Sequence, residues 1–244
     1  SAMKPLTDGF MKRYPGTKAA SVHFSGAAII TRLDVEARAG KPVSDVVLSG
    51  QLGVLALIEK KIAMRYRSPE REFFRDGLKD KDGLWTAYMT NVMVSAYNTR
   101  QIKKEEAPRT VEDLLKPRWK GKLTMDSQSY VWFGTMLQYL GEEAGLRFMR
   151  QLNEQNISHQ RGRRLMTQLV AAGEFDMAVE TNLNSVLTLN KQGAPLSFAP
   201  IQPYFLSPSL VFMSANAPRP YTGALFIDYL LSEDGQKIVV TTNR

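Results

Sequence analysis

The 244-residue chain contains no cysteine, only two histidines and no acidic excess. The missing cysteines exclude a disulfide scaffold, a thiolate zinc site and a cysteine nucleophile. They leave the compartment open, because a chain long enough to bury a sizeable core needs no disulfide staples. Its longest apolar runs, such as Val54 to Ile58, fall far below the ~18–20 residues that span a bilayer. The two histidines, His23 and His159, each sit inside a strand candidate, where a lone imidazole is ordinarily structural. HExxH, GxSxG and the phosphate-loop GxxxxGK[ST] pattern are all missing. Nothing supplies a nucleophile with a base and an orienting partner. Binding without chemistry is the expectation, with no catalytic residue, metal or cofactor.

What the chain does have is positive charge. Thirty-two Lys+Arg oppose 24 Asp+Glu, a net of +8, and the pI is about 9.6. Clustered cations would suggest nucleic acid. Here Lys103-Lys104 run straight into Glu105-Glu106, and Lys79 and Lys81 alternate with Asp80 and Asp82. Only Arg161, Arg163 and Arg164 are grouped. Such interspersion reads as solvated surface with some tolerance for small anions, not as a nucleic-acid face.

The hydrophobic pattern alternates between periods of two and of 3.6, the βαβ rhythm of an open parallel sheet and not of a bundle or sandwich. Ser1-Ala2-Met3 reads as a tag remnant. A helix then carries Leu6, Phe10 and Met11 on one face, and Tyr14-Pro15-Gly16 stops it. Strands are expected at 19–24, 45–48, 122–125, 157–159 and 175–180, each followed by a helix. A stretch at 86–97 exceeds the usual five or six residues of a strand, and 196–213 is extended again. These two stretches read as crossings that join two open α/β sheets. Lobe 1 is expected at 1–91 with 204–244, and lobe 2 at 92–203.

In such sheets ligands bind beyond the carboxyl ends of the strands, against helix N-termini with unpaired N–H groups. The junctions supply Ser25 and Gly26, Ser49, Ser127 and Ser129, Arg161 and Gly162, and Asn182; Tyr130 and Tyr204 could line the walls. Taken singly, each small polar residue could be no more than a helix cap. Together, with one arginine among them, they predict a polar, anion-tolerant cleft.

The order of short segments carries a likeness. Phe10 to Gly16, Arg32-Leu33, Glu36 to Gly40 and Ser44 to Val47 stand in collinear order near the start. Tyr97-Asn98-Thr99, Asp113 to Leu115, Pro117 to Lys122, Gly173 to Phe175 and Phe226 to Ser232 follow. This series resembles ABC-transporter solute-binding proteins of the ferric-iron-binding type. The resemblance implies the two-lobed class II periplasmic-binding fold and a protein that captures a small solute and delivers it to a membrane permease. It implies a periplasmic or extracellular location, and a chain apparently truncated at both ends. It does not imply an oligomeric state. Iron-binding members carry adjacent tyrosines where this chain has Leu183-Asn184, and a glutamate where it has Gly50. A hard cation wants anionic oxygen ligands, so a small polar or anionic organic solute is the first expectation. Ferric iron or an iron chelate is the alternative, and a ligand-sensing effector domain is an alternative of another class.

Overall fold

The computed structural model describes residues 3–24 and 26–242. Its contacts divide the chain into two units, one holding residues up to Thr90 and from Pro208 onward, the other Asn91–Ser207. No helix among the described residues is long and apolar enough to cross a membrane.

The first unit begins with α1 (Met3–Arg13), with Pro5 in its first turn where a missing N–H costs no hydrogen bond. α2 (Gly26–Arg38), β1 (Val46–Gly50), α3 (Gln51–Glu59) and the short β2 (Ala63–Met64) follow. The long strand β3 (Thr86–Asn98) starts here, β8 (Phe205–Ser214) ends here, and α8 (Pro220–Leu231) and α9 (Glu233–Thr242) close the unit. β1 and β2 both pair antiparallel with β8. Strand alternation divides the core into two layers. Val211 and Met213 of β8 pack with Leu6 and Phe10 of α1 and with Phe226 and Leu230 of α8. Leu210 and Phe212 face the other way, onto Val47 of β1, Leu33 of α2, and Val54 and Leu57 of α3. Phe10 is fully buried, its ring 5.2 Å from Phe226 and 5.8 Å from Tyr229. The Tyr66 hydroxyl donates to both oxygens of Asp228 at 2.8 Å; burial, and then this carboxylate, push the phenol above its ordinary range.

The second unit contains β4 (Leu123–Asp126), α4 (Tyr130–Leu140), α5 (Glu142–Asn153), β5 (Ser158–Gln160), α6 (Arg163–Ala172), β6 (Met177–Asn182), α7 (Leu183–Lys191) and β7 (Leu196–Ala199). β3 pairs antiparallel with β6 and β7, while β4 runs parallel to β5 and β6. Five of the six residues of β6 are buried. Met177 and Val179 meet Trp132, Met136 and Phe148 from α4 and α5. Ala178 turns the opposite way, to Met166 and Val170 of α6 and Val186 of α7. α4 and α5 approach so closely that a Cβ on Gly145 would lie 2.9 Å from the Leu137 Cα. Only glycine fits that crossing. At the end of β3 the buried Asn98 donates its side-chain amide to the Val170 carbonyl at 2.8 Å and accepts from the Arg100 N–H at 2.9 Å.

Two expectations change. The ladders are mixed instead of parallel throughout: β4 runs parallel to β5 and β6, while β1–β8, β2–β8, β3–β6 and β3–β7 are antiparallel. And residues 19–24, expected as a strand, have no regular secondary structure and join no ladder among the described residues. Their backbone groups find no partner strand among the described residues, and alternation alone cannot make a strand without one.

Candidate functional site

In the second unit three helices start where three neighbouring parallel strands end. β4 stops at Asp126 and leads through Ser127, Gln128 and Ser129 into α4. β5 stops at Gln160 and leads through Arg161 and Gly162 into α6, and β6 passes directly into α7 at Asn182. The Ser127 N–H donates to the Gln160 carbonyl at 2.8 Å, which ties two of these ends together. Gly162 has φ +103°, a conformation that a side chain would strain. The N-cap residues Ser129, Gly162 and Asn182 make no side-chain capping bond. The first-turn N–H groups of all three helices therefore have no cap from these residues, and they carry the positive end of the helix dipole.

Beneath these termini lies a group of charged side chains of which the sequence disclosed only part. Glu180, on β6 and 1% exposed, accepts from Arg163 Nε at 3.1 Å on both oxygens, and Arg163 Nη2 lies 2.9 Å from Oε1. The Ser129 hydroxyl donates to the same carboxylate. Arg163 Nη1 stands 3.8 Å from Asp126, whose own carboxylate accepts the Gln128 N–H at 3.0 Å. Next to this group Thr167 and Thr181 share a hydroxyl hydrogen bond of 2.7 Å. With two carboxylates to one guanidinium, the charge of Arg163 is used internally. Arg161 and Arg164 remain exposed, without an ion pair among the described residues.

The expected site residues separate accordingly. Ser127, Tyr130, Arg161, Gly162 and Asn182 gather at this end of the second unit, where Tyr130 is 64% exposed. Ser129 is there too, but it is buried and its hydroxyl is committed to Glu180 instead of facing solvent. Tyr204 is exposed and follows Pro203, which with Trp132 and Glu180 borders a cavity of about 10 Å³, room for one water. In the first unit Gly26 opens α2, and Ser49 lies on β1, so close to α3 that a Cβ on Gly53 would stand 2.5 Å from its Oγ. Ser25 lies outside the described residues. Leu183 packs into the core and Asn184 is exposed. Among the described residues no group of three or more His, Asp or Glu side chains is arranged to hold a metal ion. Asp126 and Glu180 escaped the sequence reading of the site, and Arg163 entered it only as one of three grouped arginines. The available signal was an acidic residue closing the apolar run Met177 to Val179, which a buried strand tolerates only with a partner.

The sequence profile described as bacterial extracellular solute-binding protein matches residues 43–244. The chain belongs to this family. The solute-binding protein is 24% identical to the Fe(3+)-binding periplasmic protein of Serratia marcescens over 66% of its own length and 50% of that relative. It thus spans about half the length of the curated relatives it matches. Among solved structures, the ferric binding protein from Campylobacter jejuni superposes with a TM-score of 0.88 at 20% identity, covering 100% of this chain and 82% of the other. AfuA from Actinobacillus pleuropneumoniae, with exogenous fructose-6-phosphate bound, gives 0.85 at 23% identity, covering 99% and 79%. The fold is thus that of periplasmic binding proteins, an α/β architecture.

Proposed function

We propose that the solute-binding protein is the substrate-binding component of an ABC importer, which captures a small polar or anionic solute and delivers it to a membrane permease on the periplasmic or extracellular side. The observation that carries this reading is the set of three uncapped helix N-termini at the ends of β4, β5 and β6, with Arg161 exposed beside them. Convergent N–H groups and a nearby guanidinium suit phosphate or carboxylate oxygens. Asn182, Ser127 and the exposed ring of Tyr130 would add hydrogen bonds and a wall. Arg163, Glu180 and Ser129 would hold the loops in place without touching the solute. Tyr204 would contribute from another segment of the same unit. The role is binding, with no catalytic step.

Relatives named for ferric iron favour a second reading, in which the metal arrives already chelated by an anion. The anion would then meet the same helix ends. Isothermal titration with inorganic phosphate, fructose 6-phosphate, citrate and ferric citrate tests both readings. The probe that binds should lose at least tenfold in affinity in Arg161→Ala, because a charge-assisted contact is worth more than ~1.4 kcal/mol. Unchanged affinity removes Arg161 from the site, and binding of ferric citrate alone selects the iron reading.

A further inference from the structure

Strand β6 carries one residue more than the stretch of β3 it pairs with. Met93 and Val94 of β3 stand opposite Asn182 and Thr181, and Ala96 and Tyr97 opposite Ala178 and Met177. Between these pairs Val179 and Glu180 together oppose Ser95, which is a β-bulge. The buried Ser95 hydroxyl fastens it by donating to the Val179 carbonyl at 2.6 Å. The bulge re-aims the side chains that follow it. Successive side chains of a regular strand point to opposite faces, so with Ala178 on the α6 face Thr181 would fall on the α4 face. The extra residue cancels that turn. Glu180 and Thr181 both reach α6, at Arg163 and at Thr167.

Thr167 and Thr181 are fully buried, and their hydroxyls form a chain with a fixed direction. A threonine hydroxyl has one proton to give. Thr167 gives its proton to the Arg163 carbonyl at 2.8 Å. In the 2.7 Å contact with Thr181 it therefore accepts, and Thr181 donates. The chain runs from β6 through Thr167 to the first residue of α6. The Arg163 side chain meets Glu180 on the same strand, so the first turn of α6 is attached to β6 at two points. Asn182 follows Thr181 directly, and Arg161 and Gly162 precede Arg163. Two apolar side chains of the same shape would support the fold about as well. They would not fix an angle, because apolar contacts are non-directional and hydrogen bonds are not.

We propose that Thr167 and Thr181, aligned by the bulge, are positioning residues for the solute site. They set the first turn of α6, and with it Arg161 and Gly162, at a fixed distance from Asn182. This rests on the reading of these strand ends as the place where the solute binds. Groups that touch a ligand keep their geometry when buried neighbours lock them. Neither threonine touches the solute.

The test uses valine and serine variants of the full chain. Thr167→Val leaves the Thr181 hydroxyl without its acceptor in a fully buried position, which is costly. Thr181→Val removes only an incoming proton from Thr167, which still donates to Arg163. The melting midpoint should therefore fall further in Thr167→Val, and the reverse order overturns the proposed direction. Valine at both positions removes both partners and should bring the midpoint back near that of the parent. In this double variant the Met166 amide, which bonds the Gly162 carbonyl at 3.2 Å, should still exchange roughly tenfold faster. Its affinity for inorganic phosphate or citrate, by isothermal titration, should fall severalfold. A double variant with parental exchange and affinity shows packing alone and overturns the proposal. Thr181→Ser keeps the hydroxyl and should retain both parental values. Equal losses in Thr181→Ser and Thr181→Val also overturn it, because the methyl group is then what counts. A parent that binds neither anion overturns the solute reading, while exchange at Met166 still decides the hydroxyl chain.

Discussion

The two units bury comparable apolar layers and differ in how their buried polar groups are held. In the second unit β4 has a strand on either side, and the buried Glu180 is held by Arg163 and Ser129. In the first, β1 ends the sheet among the described residues and borders a groove beside 18–24, which join no ladder there. Buried backbone and carboxylate groups are expensive to leave unpaired. Neither unit meets that demand completely: β5 ends the sheet in the second as β1 does in the first, and Trp119 Nε1 and Gln155 Oε1 of the second, like Arg71 Nε of the first, find no hydrogen-bond partner among the described residues. A buried carboxylate shared by Ser129 and Arg163 ties the starts of two helices to β6, which an apolar layer alone does not do.

The largest test of this contrast compares two buried aromatics. Trp119→Ala, 1% exposed in the core of the second unit, should cost ~3–5 kcal/mol in urea unfolding, as deletions of large core side chains do. Phe10→Ala should fall at the lower end of that range, because Phe10 also lines the groove, which lets neighbours relax and water enter. Equal costs would break the contrast.

Next in size is Glu180→Ala, which leaves Arg163 without its main partner. Removing one member of a buried pair costs ~3–5 kcal/mol, and the 28% exposure of the Arg163 side chain lowers this to about 2–3 kcal/mol. Glu180→Gln should recover part of the loss. The readout is amide exchange across β4 and β6, with β1 and β8 unchanged. A matching loss of protection in β8 would show that the two units do not respond separately.

The smallest effect is electrostatic. The Lys116 ammonium, then the Arg109 and Thr110 N–H groups, hold the Asp113 carboxyl down from 3.8 to about 2. A lowered carboxyl stabilises the folded chain above its unfolded value and loses that contribution as pH falls from about 4 toward 2. Asp113→Asn should therefore cost less than ~1 kcal/mol at neutral pH. The difference from the parent chain should shrink across that acid window, measured as unfolding midpoint against pH. An unchanged difference at pH 2 would assign the effect to the Arg109 and Thr110 hydrogen bonds, not to charge.

Much of the architecture was legible. The helices from Gly26, Gln51, Tyr130 and Glu142 and the strand from Thr86 follow the apolar periodicity closely, because that periodicity is what buries a face. Six of the ten expected site residues gather at the ends of β4, β5 and β6, since small polar residues mark strand-to-helix junctions wherever they occur. The role of Ser129 was not legible. Its hydroxyl is consumed by Glu180, 51 residues away in sequence. The pairing of Arg163 with Glu180, as opposed to Arg161 or Arg164, depends on which side of the first turn of α6 faces β6.

The amino-acid sequence by itself determined the alternation of helices and strands, the family and the chemistry of the junctions. Each rests on local periodicity or on residue type. Only the tertiary structure decided that residues 19–24 join no ladder among the described residues, that β8 runs between β1 and β3, and which of three neighbouring arginines is neutralised. Those outcomes depend on partners distant in the chain, because a backbone group or a buried charge is satisfied by whatever packs against it.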